Sequence, residues 1–444
     1  MGNYRKSGTP FLYDDATNDI VGLVDPDGSE ARLLLTEVNA TGQTVLDPVS
    51  QLLVPTSQIT RAAQRYKLKY KPANSRAFAI GDSYAAGSGA TTGAQAWYGV
   101  LSAELASAFG WNNYGFGGRP ISAYVKAAKQ AGADASNAGL IQPQIDDVYM
   151  SILGLNDLRG ITDLGGTSGG CGPDPANFRQ MASRAQAMAT WFMIPETSRV
   201  RAKTLTNSGA NPAVTYYTPS TAWNHGGALN GWANVSYSGV ANSTATFTST
   251  YGDLLVMRLC VASGASAVYS ITVDGTVLYT GTSKGEFDSW ALDCVILKLP
   301  TKGTHTVVLT HVSGDNVVFH SCDCVDTATD FSATFLYSTP NNLPDAAGAG
   351  WSNAGGAANG ATANSATAPT SWLYNAGGLA RFRQCIEEAM SDLYELGYNV
   401  VNVRHWTNWN LNTHLNADNV HPNDAGHALI ANKFRIHLRS LIGI

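Results

Sequence analysis

The chain has 444 residues and a formal net charge of −5, with only 14% of residues charged. The length predicts two or three domains rather than one core. The charge leaves no basic footprint for nucleic acid, and no apolar run approaches the roughly 20 residues of a membrane span, so neither nucleic acid nor membrane is an expected partner.

The first residues, Met1-Gly2-Asn3-Tyr4-Arg5-Lys6, carry no apolar signal-peptide core, and Lys6 stands where a myristoylation motif needs Ser or Thr. Phe11-Leu12-Tyr13, 20–24 and 31–35 read as short strands with Asp/Gly/Pro turns between them, and 56–72 reads as a linker. Residues 1–75 thus form an N-terminal β-rich module too small to bury much core alone.

From Arg76 the pattern becomes α/β. Ala77-Phe78-Ala79-Ile80 is a buried strand ending in Gly81-Asp82-Ser83, followed by a helix over 96–109 with apolar Trp97, Val100, Leu101, Leu105 and Phe109. A loop over 112–120, a helix near 121–130 and a strand over 148–153 come next. A helix capped by Asp174 or Asn177 carries the stripe Phe178, Met181, Ala185, Met188 and Phe192.

Between 199 and 330 the period switches to two. The strands predicted are 245–250, 254–261, 267–273, 276–280, 291–299, 305–311 and 316–322, with hairpin signals at Asp274-Gly275 and Ser313-Gly314-Asp315. Their number and spacing predict a jelly-roll-like β-sandwich. The α/β pattern resumes with a strand over 331–337, a long Gly/Ala/Asn-rich loop to about 370, a helix over 379–396, a strand over 399–403 and a closing helix over 425–441. The sandwich is therefore an insertion, and the α/β domain comprises 76–198 and 331–444.

Six cysteines form no C-x-x-C pair, which argues against a zinc ribbon or redox site and for folding in a reducing compartment. His320, Cys322 and Cys324 alternate, so a regular strand would put them on one face. Lacking a fourth ligand, they read as buried side chains rather than a metal site. No cofactor is expected.

Ser83, at the end of a buried strand, suits a nucleophile, which needs a base, a group to orient the base and donors for an oxyanion. Two Asp-x-x-His pairs occur, Asp418/His421 and Asp424/His427. His421 precedes Pro422 in a loop. Asp424 stands at a helix start, where capping is its expected role, and His427 is already helical. His405 and His414 are weaker candidates for the base. Gly166-Thr167-Ser168-Gly169-Gly170 fits G-x-S-x-G but lacks the flanking strand and helix that a nucleophile elbow requires.

Gly81-Asp82-Ser83, Asn113-x-Gly115-x-x-Gly118, Gly154-x-Asn156-Asp157 and Asp418-x-x-His421-Pro422 resemble, in order, the four blocks of the SGNH (GDSL-like) hydrolase family. The resemblance implies a three-layer α/β/α fold with a mainly parallel sheet. It implies Ser83 as nucleophile, His421 as base and Asp418 as its orienting acid. The oxyanion hole would be formed by the N–H groups of Ser83 and Gly118 and the side-chain amide of Asn156, with Gly117 as the alternative to Gly118. Asp157 is expected to be structural, and Asp82 to hold the Ser83 loop.

The insertion resembles a carbohydrate-binding module, with Trp223, Trp232, Tyr237, Tyr251 and Trp290 as aromatics for either sugar stacking or the core. The N-terminal module resembles the starts of bacteriophage tail proteins. Together these resemblances imply a tail-spike or tail-fibre esterase, a homotrimer located in the virion tail. Its partners would be other tail proteins and an acetylated bacterial surface polysaccharide. The alternatives are a non-catalytic receptor-binding adhesin and a lipid or general carboxylesterase.

Overall fold

The computed structural model describes residues 71–118, 121, 124, 141–158, 178–201, 215–327, 333–341 and 378–442, apart from short stretches within these ranges, and six short strands within 2–55. The chain divides into two compact units, Met1–Tyr70 and Lys71–Ile444. In the first, β1 (Gly2–Tyr4), β2 (Phe11–Asp14), β3 (Asp19–Val24) and β4 (Ala31–Arg32) form an antiparallel meander, and β5 (Thr44–Leu46) pairs with β6 (Leu53–Pro55).

In the second unit the chain runs through β7 (Ser75–Gly81), α1 (Ser83–Ala86), α2 (Trp97–Glu104), β8 (Phe109–Gly115), β9 (Val148–Ile152), α3 (Leu155–Leu158) and α4 (Phe178–Met193). It then enters the antiparallel region with β10 (Arg199–Arg201), β11 (Thr215–Tyr216), β12 (Thr218–Pro219), β13 (Asn224–Leu229), β14 (Trp232–Ser238) and β15 (Thr244–Thr248). This continues with β16 (Gly252–Val261), β17 (Val268–Val273), β18 (Thr276–Thr282), β19 (Ala291–Gly303), β20 (Thr306–Ser313) and β21 (Val317–Val325). It returns through β22 (Thr334–Ser338), α5 (Gly378–Glu395), β23 (Asn399–Asn402), α6 (Leu411–His414) and α7 (Asp424–Ile442).

The parallel sheet has the order β23-β22-β9-β7-β8, and all its neighbouring pairs are parallel. The chain moves from β7 to β8 on one side and then crosses to β9 on the other, so β7 and β9 flank the switch point where open α/β sheets form their crevice. All five residues of β9 and of β22 are buried, as expected of strands covered on both faces.

The antiparallel strands form two sheets. One has β16 paired with β19 and with β21, and β21 also pairs with β10 and β14. The other has the order β12-β15-β20-β17-β18. Side chains of both share one hydrophobic cluster, including Leu255, Met257, Ile271, Leu309 and Phe319. The expected strands agree with these to within a few residues.

Helix α4 joins the two sheet systems. Phe192 packs on Tyr149 of the parallel sheet, while Arg258 of β16 donates to the carbonyl of Ala187 and the hydroxyl of Thr190. Covered on both sides, Met181, Ala185, Met188 and Phe192 are all buried.

Three expectations need correction. The α2 helix ends at Glu104, and 109–115, expected as helix end and loop, forms the edge strand β8; its half-exposed Asn and Gly residues hid the strand pattern. His320 does not share a face with Cys322 and Cys324. A bulge between Phe319 and Ser321 shifts the phase of β21 against β16. Both cysteines therefore enter the shared core, while His320 packs against Trp191 of α4. Asp424 does not cap α7; Asn423 does, accepting the Gly426 N–H. The helix expected near 121–130 (apart from 121 and 124), its counterpart's cap at Asp174 or Asn177, the 166–170 motif and the loop to 370 lie outside the described residues.

Candidate active site

Ser83 is delivered by β7. Gly81 turns the backbone (φ 144°), Asp82 takes extended geometry, and Ser83 begins α1 with Asp82 accepting the Tyr84 N–H at 2.9 Å. Four side chains then hold this turn and the segment after it. The Tyr84 hydroxyl donates to the Val420 carbonyl at 2.6 Å. Asn113 of β8 donates its amide to the Ala85 carbonyl at 3.0 Å. His427 of α7 bonds the Ser88 carbonyl through Nε2 at 3.1 Å and accepts the Trp97 N–H at Nδ1. Asp424 accepts from the Thr91 N–H and hydroxyl and from Gln95.

His421 is held as firmly from the other side. Leu415 and Pro422 form an isolated antiparallel bridge, Asn416 donates its N–H to the His421 carbonyl, and Asn423 donates to the carbonyls of Thr413 and Leu415. Gly89 makes the approach of the two loops possible. A Cβ there would stand 2.2 Å from the Pro422 carbonyl oxygen, and its φ is +93°.

With both loops fixed, Nε2 of His421 lies 3.0 Å from Ser83 Oγ, and Nδ1 lies 2.6 Å from Asp418 Oδ2. Asp418 Oδ1 accepts the N–H groups of Val420 and His421 at 2.9 and 3.0 Å. Partial burial pushes the Asp418 carboxyl up, but the His421 ring and these two N–H groups outweigh it and hold it below the usual range. A carboxylate only accepts, so Nδ1 carries the proton and Nε2 of the neutral ring presents a lone pair to the Ser83 hydroxyl. Exposure rises along the series. Ser83 is 8% exposed, and the side chains of His421 and Asp418 are 28% and 46% exposed.

The three other histidines considered for the base are committed elsewhere. His405 is fully buried between Ser338 and Asn341, and burial pushes its pKa down to about 3. His414 accepts the Asn410 N–H at Nδ1. His427 is the tether described above.

Asn156, 2% exposed in the first turn of α3 after β9, donates its amide to Asp82 Oδ2 at 3.1 Å. Gly118 has φ +75°, a conformation that favours glycine, and a Cβ on it would meet nothing within 4 Å. Gly117 has no positive φ. Asp157 accepts the Ile121 N–H at 3.0 Å and faces Arg184 at 3.6 Å, both side chains of this ion pair fully buried. Its work is holding the loop after β8. The Tyr84 clamp had no signal in the sequence, because its acceptor is a backbone carbonyl 336 positions away.

Of the five aromatics weighed for sugar stacking, Trp223 is buried in the core shared by the antiparallel sheets. Tyr237 is half-buried, and Tyr251 is 57% exposed with Lys302 Nζ 5.7 Å from its ring centroid. The side chains of Trp232 and Trp290 lie outside the described residues. Among the described residues, no group of three or more His, Cys, Asp or Glu is arranged to hold a metal ion, and no helix is long and apolar enough to cross a membrane.

No family model and no curated protein matches the chain. Its resemblance to solved structures is weak and falls on carbohydrate-active folds. A two-domain esterase active on acetylated mannans, co-crystallised with mannopentaose, matches at 11% identity and a TM-score of 0.30, over 57% of this chain and 91% of that one. A CBM35 module from Cellvibrio japonicus matches at 16% identity and a TM-score of 0.19, over 23% and 78%. A GH115 4-O-methyl-α-glucuronidase with specificity for decorated arabinogalactans matches at 10% identity and a TM-score of 0.19, over 26% of this chain and 19% of its own length.

Proposed function

We propose that the chain is a serine esterase of the SGNH type that works through an acyl-enzyme on Ser83. The observation that carries this reading is the continuous relay Ser83–His421–Asp418, with bonds of 3.0 and 2.6 Å. Ser83 Oγ attacks the ester carbonyl while its proton passes to His421 Nε2. Asp418 stabilises the resulting imidazolium, and His421 then protonates the departing alcohol. Water, deprotonated by the same nitrogen, releases the acid. The backbone N–H groups of Ser83 and Gly118 and the amide of Asn156 are assigned to the oxyanion.

For the substrate we propose O-acetyl groups on a bacterial surface polysaccharide, and for the setting a phage tail in which residues 1–75 attach to other tail proteins and the chain trimerises. Support for the glycan comes from the two antiparallel sheets, one of which packs through Arg258 on α4, the helix whose Arg184 faces Asp157 next to Asn156. The three-layer, jelly-roll-like description of the fold belongs to the same proposal.

Hydrolysis of p-nitrophenyl acetate, longer-chain esters and acetylated polysaccharide by wild type and Ser83→Ala tests it. Acetyl-selective turnover that disappears in Ser83→Ala is expected. Turnover in neither protein would favour the adhesin, and preference for long chains would favour a lipid esterase.

A further inference from the structure

We propose that Asp82 is a positioning residue that fixes the Asn156 amide relative to the nucleophile, an inference that rests on the esterase reading above. Asp82 is 1% exposed and links two strands' worth of machinery through one carboxyl group. Oδ1 accepts the Tyr84 N–H at 2.9 Å, which caps the helix that Ser83 begins. Oδ2 accepts the Asn156 amide at 3.1 Å. The residues arrive on β7 and β9, the pair that flanks the switch point.

The two ends of an Asn side chain are nearly alike in shape, and only neighbours decide which end is NH2. A carboxylate accepts and never donates, so ionised Asp82 obliges Asn156 to turn its nitrogen toward β7. A flipped amide would place a carbonyl oxygen there, which repels a developing oxyanion instead of stabilising it. Asp82 thus selects the amide orientation the reaction needs without touching substrate.

The ionisation state matters for the same reason. Burial pushes the Asp82 carboxyl up to about 7, with the Asp157 charge adding and the Tyr84 N–H and Asn156 amide opposing. The groups facing this pocket are Tyr124 beyond β8, Asn156 and Asp157 of α3, and Arg184 of α4, which pairs with Asp157. Protonated Asp82 turns one acceptor into a donor, so kcat is expected to fall as pH drops through this range.

The test is a double-mutant cycle on the full chain with p-nitrophenyl acetate, since contacting residues that act together are non-additive. Asp82→Ser keeps an oxygen for the Tyr84 N–H but does not reach Asn156. It should lower kcat by about 10- to 100-fold with KM little changed, the scale of a misplaced catalytic group. On an Asn156→Ala background the same substitution should cost nothing further. An unchanged kcat, a loss confined to KM, or an equal loss on both backgrounds would overturn the inference. If Asp82→Ser melts below the assay temperature, the isosteric Asp82→Asn is read in the same cycle. Wild-type turnover that survives in Ser83→Ala would instead defeat the esterase reading, whatever the cycle shows.

Discussion

The site at the ends of β7 and β9 and the cluster against α4 each centre on a hydrogen-bonded aspartate and behave oppositely. Under α4, Asp323 accepts from Arg199 Nε at 2.7 Å and from Arg258 Nη1 at 2.6 Å, and all three side chains are fully buried. Arg199 also bonds Glu196 and the Trp191 carbonyl, and its guanidinium lies 3.4 Å from the Trp191 ring centroid. The two arginines outweigh burial and hold the Asp323 carboxyl low. At the crevice the Asp418–His421 bonds end on a serine hydroxyl, and exposure falls from Asp418 through His421 to Ser83. A closed network locks two sheet systems together, whereas the open one ends on a hydroxyl and, on the esterase reading proposed above, would deliver a polarised atom to a substrate. On that reading, convergence of charges does not by itself mark a reaction centre; a chain of bonds with an open end does.

The largest effect that would sharpen this contrast is on His421. His421→Ala should lower kcat/KM for p-nitrophenyl acetate on the order of 10,000-fold, with the thermal midpoint nearly unchanged because the ring is partly exposed. A loss of folding with residual activity per folded molecule intact would reverse the assignment of roles.

Asp323→Ala should show the complementary pattern. It leaves two guanidinium groups without their anion, at a cost of about 3–5 kcal/mol, read as a lowered urea midpoint. The kcat of the molecules still folded should match wild type. A selective fall in kcat would mean that the cluster communicates with the crevice.

The sequence made the open site more legible than the closed one. Gly81-Asp82-Ser83 and Asp418-x-x-His421 are short local patterns of residue types that a serine hydrolase needs, so two loops 338 positions apart could be paired from the sequence. Arg199, Arg258 and Asp323 have no such pattern, since any register that brings them together depends on pairing between distant strands. From residue 244 onward the antiparallel strands are readable from their period of two, whereas β10 to β14, between Arg199 and Ser238, carry no such pattern and are not expected. The bulge at His320 inserts a residue and inverts the faces, and no local signal announces it. The edge strand β8 is hidden for a related reason, because its Gly and Asn residues and partial exposure leave no regular alternation. Asp424 looked like a helix cap because it stands in the first turn, while its partners, Thr91 and Gln95, are remote in sequence.

The smallest expected effect concerns His427, a buried histidine on the closed side of the crevice. Burial lowers its pKa, while its bond to the Ser88 carbonyl and the Asp424 charge partly oppose the shift. Because the folded protein resists protonating this ring and the unfolded chain does not, the unfolded state binds more protons below the ordinary value of 6.5. Stability contributed here is therefore present above that pH and lost as pH falls below it. Asp82 works in the opposite sense, since its folded pKa is raised from 3.8 to about 7; its contribution is largest near pH 4 and declines as pH rises toward 7. His427→Gln keeps a donor for Ser88 and an acceptor for Trp97 but removes the titration. It should cost within about 1 kcal/mol at pH 8, the scale of one hydrogen bond. Chemical denaturation between pH 8 and pH 5 should show a smaller acid loss in the variant than in wild type. An equal loss in both would mean that His427 is not among the groups that set the acid side of the stability profile.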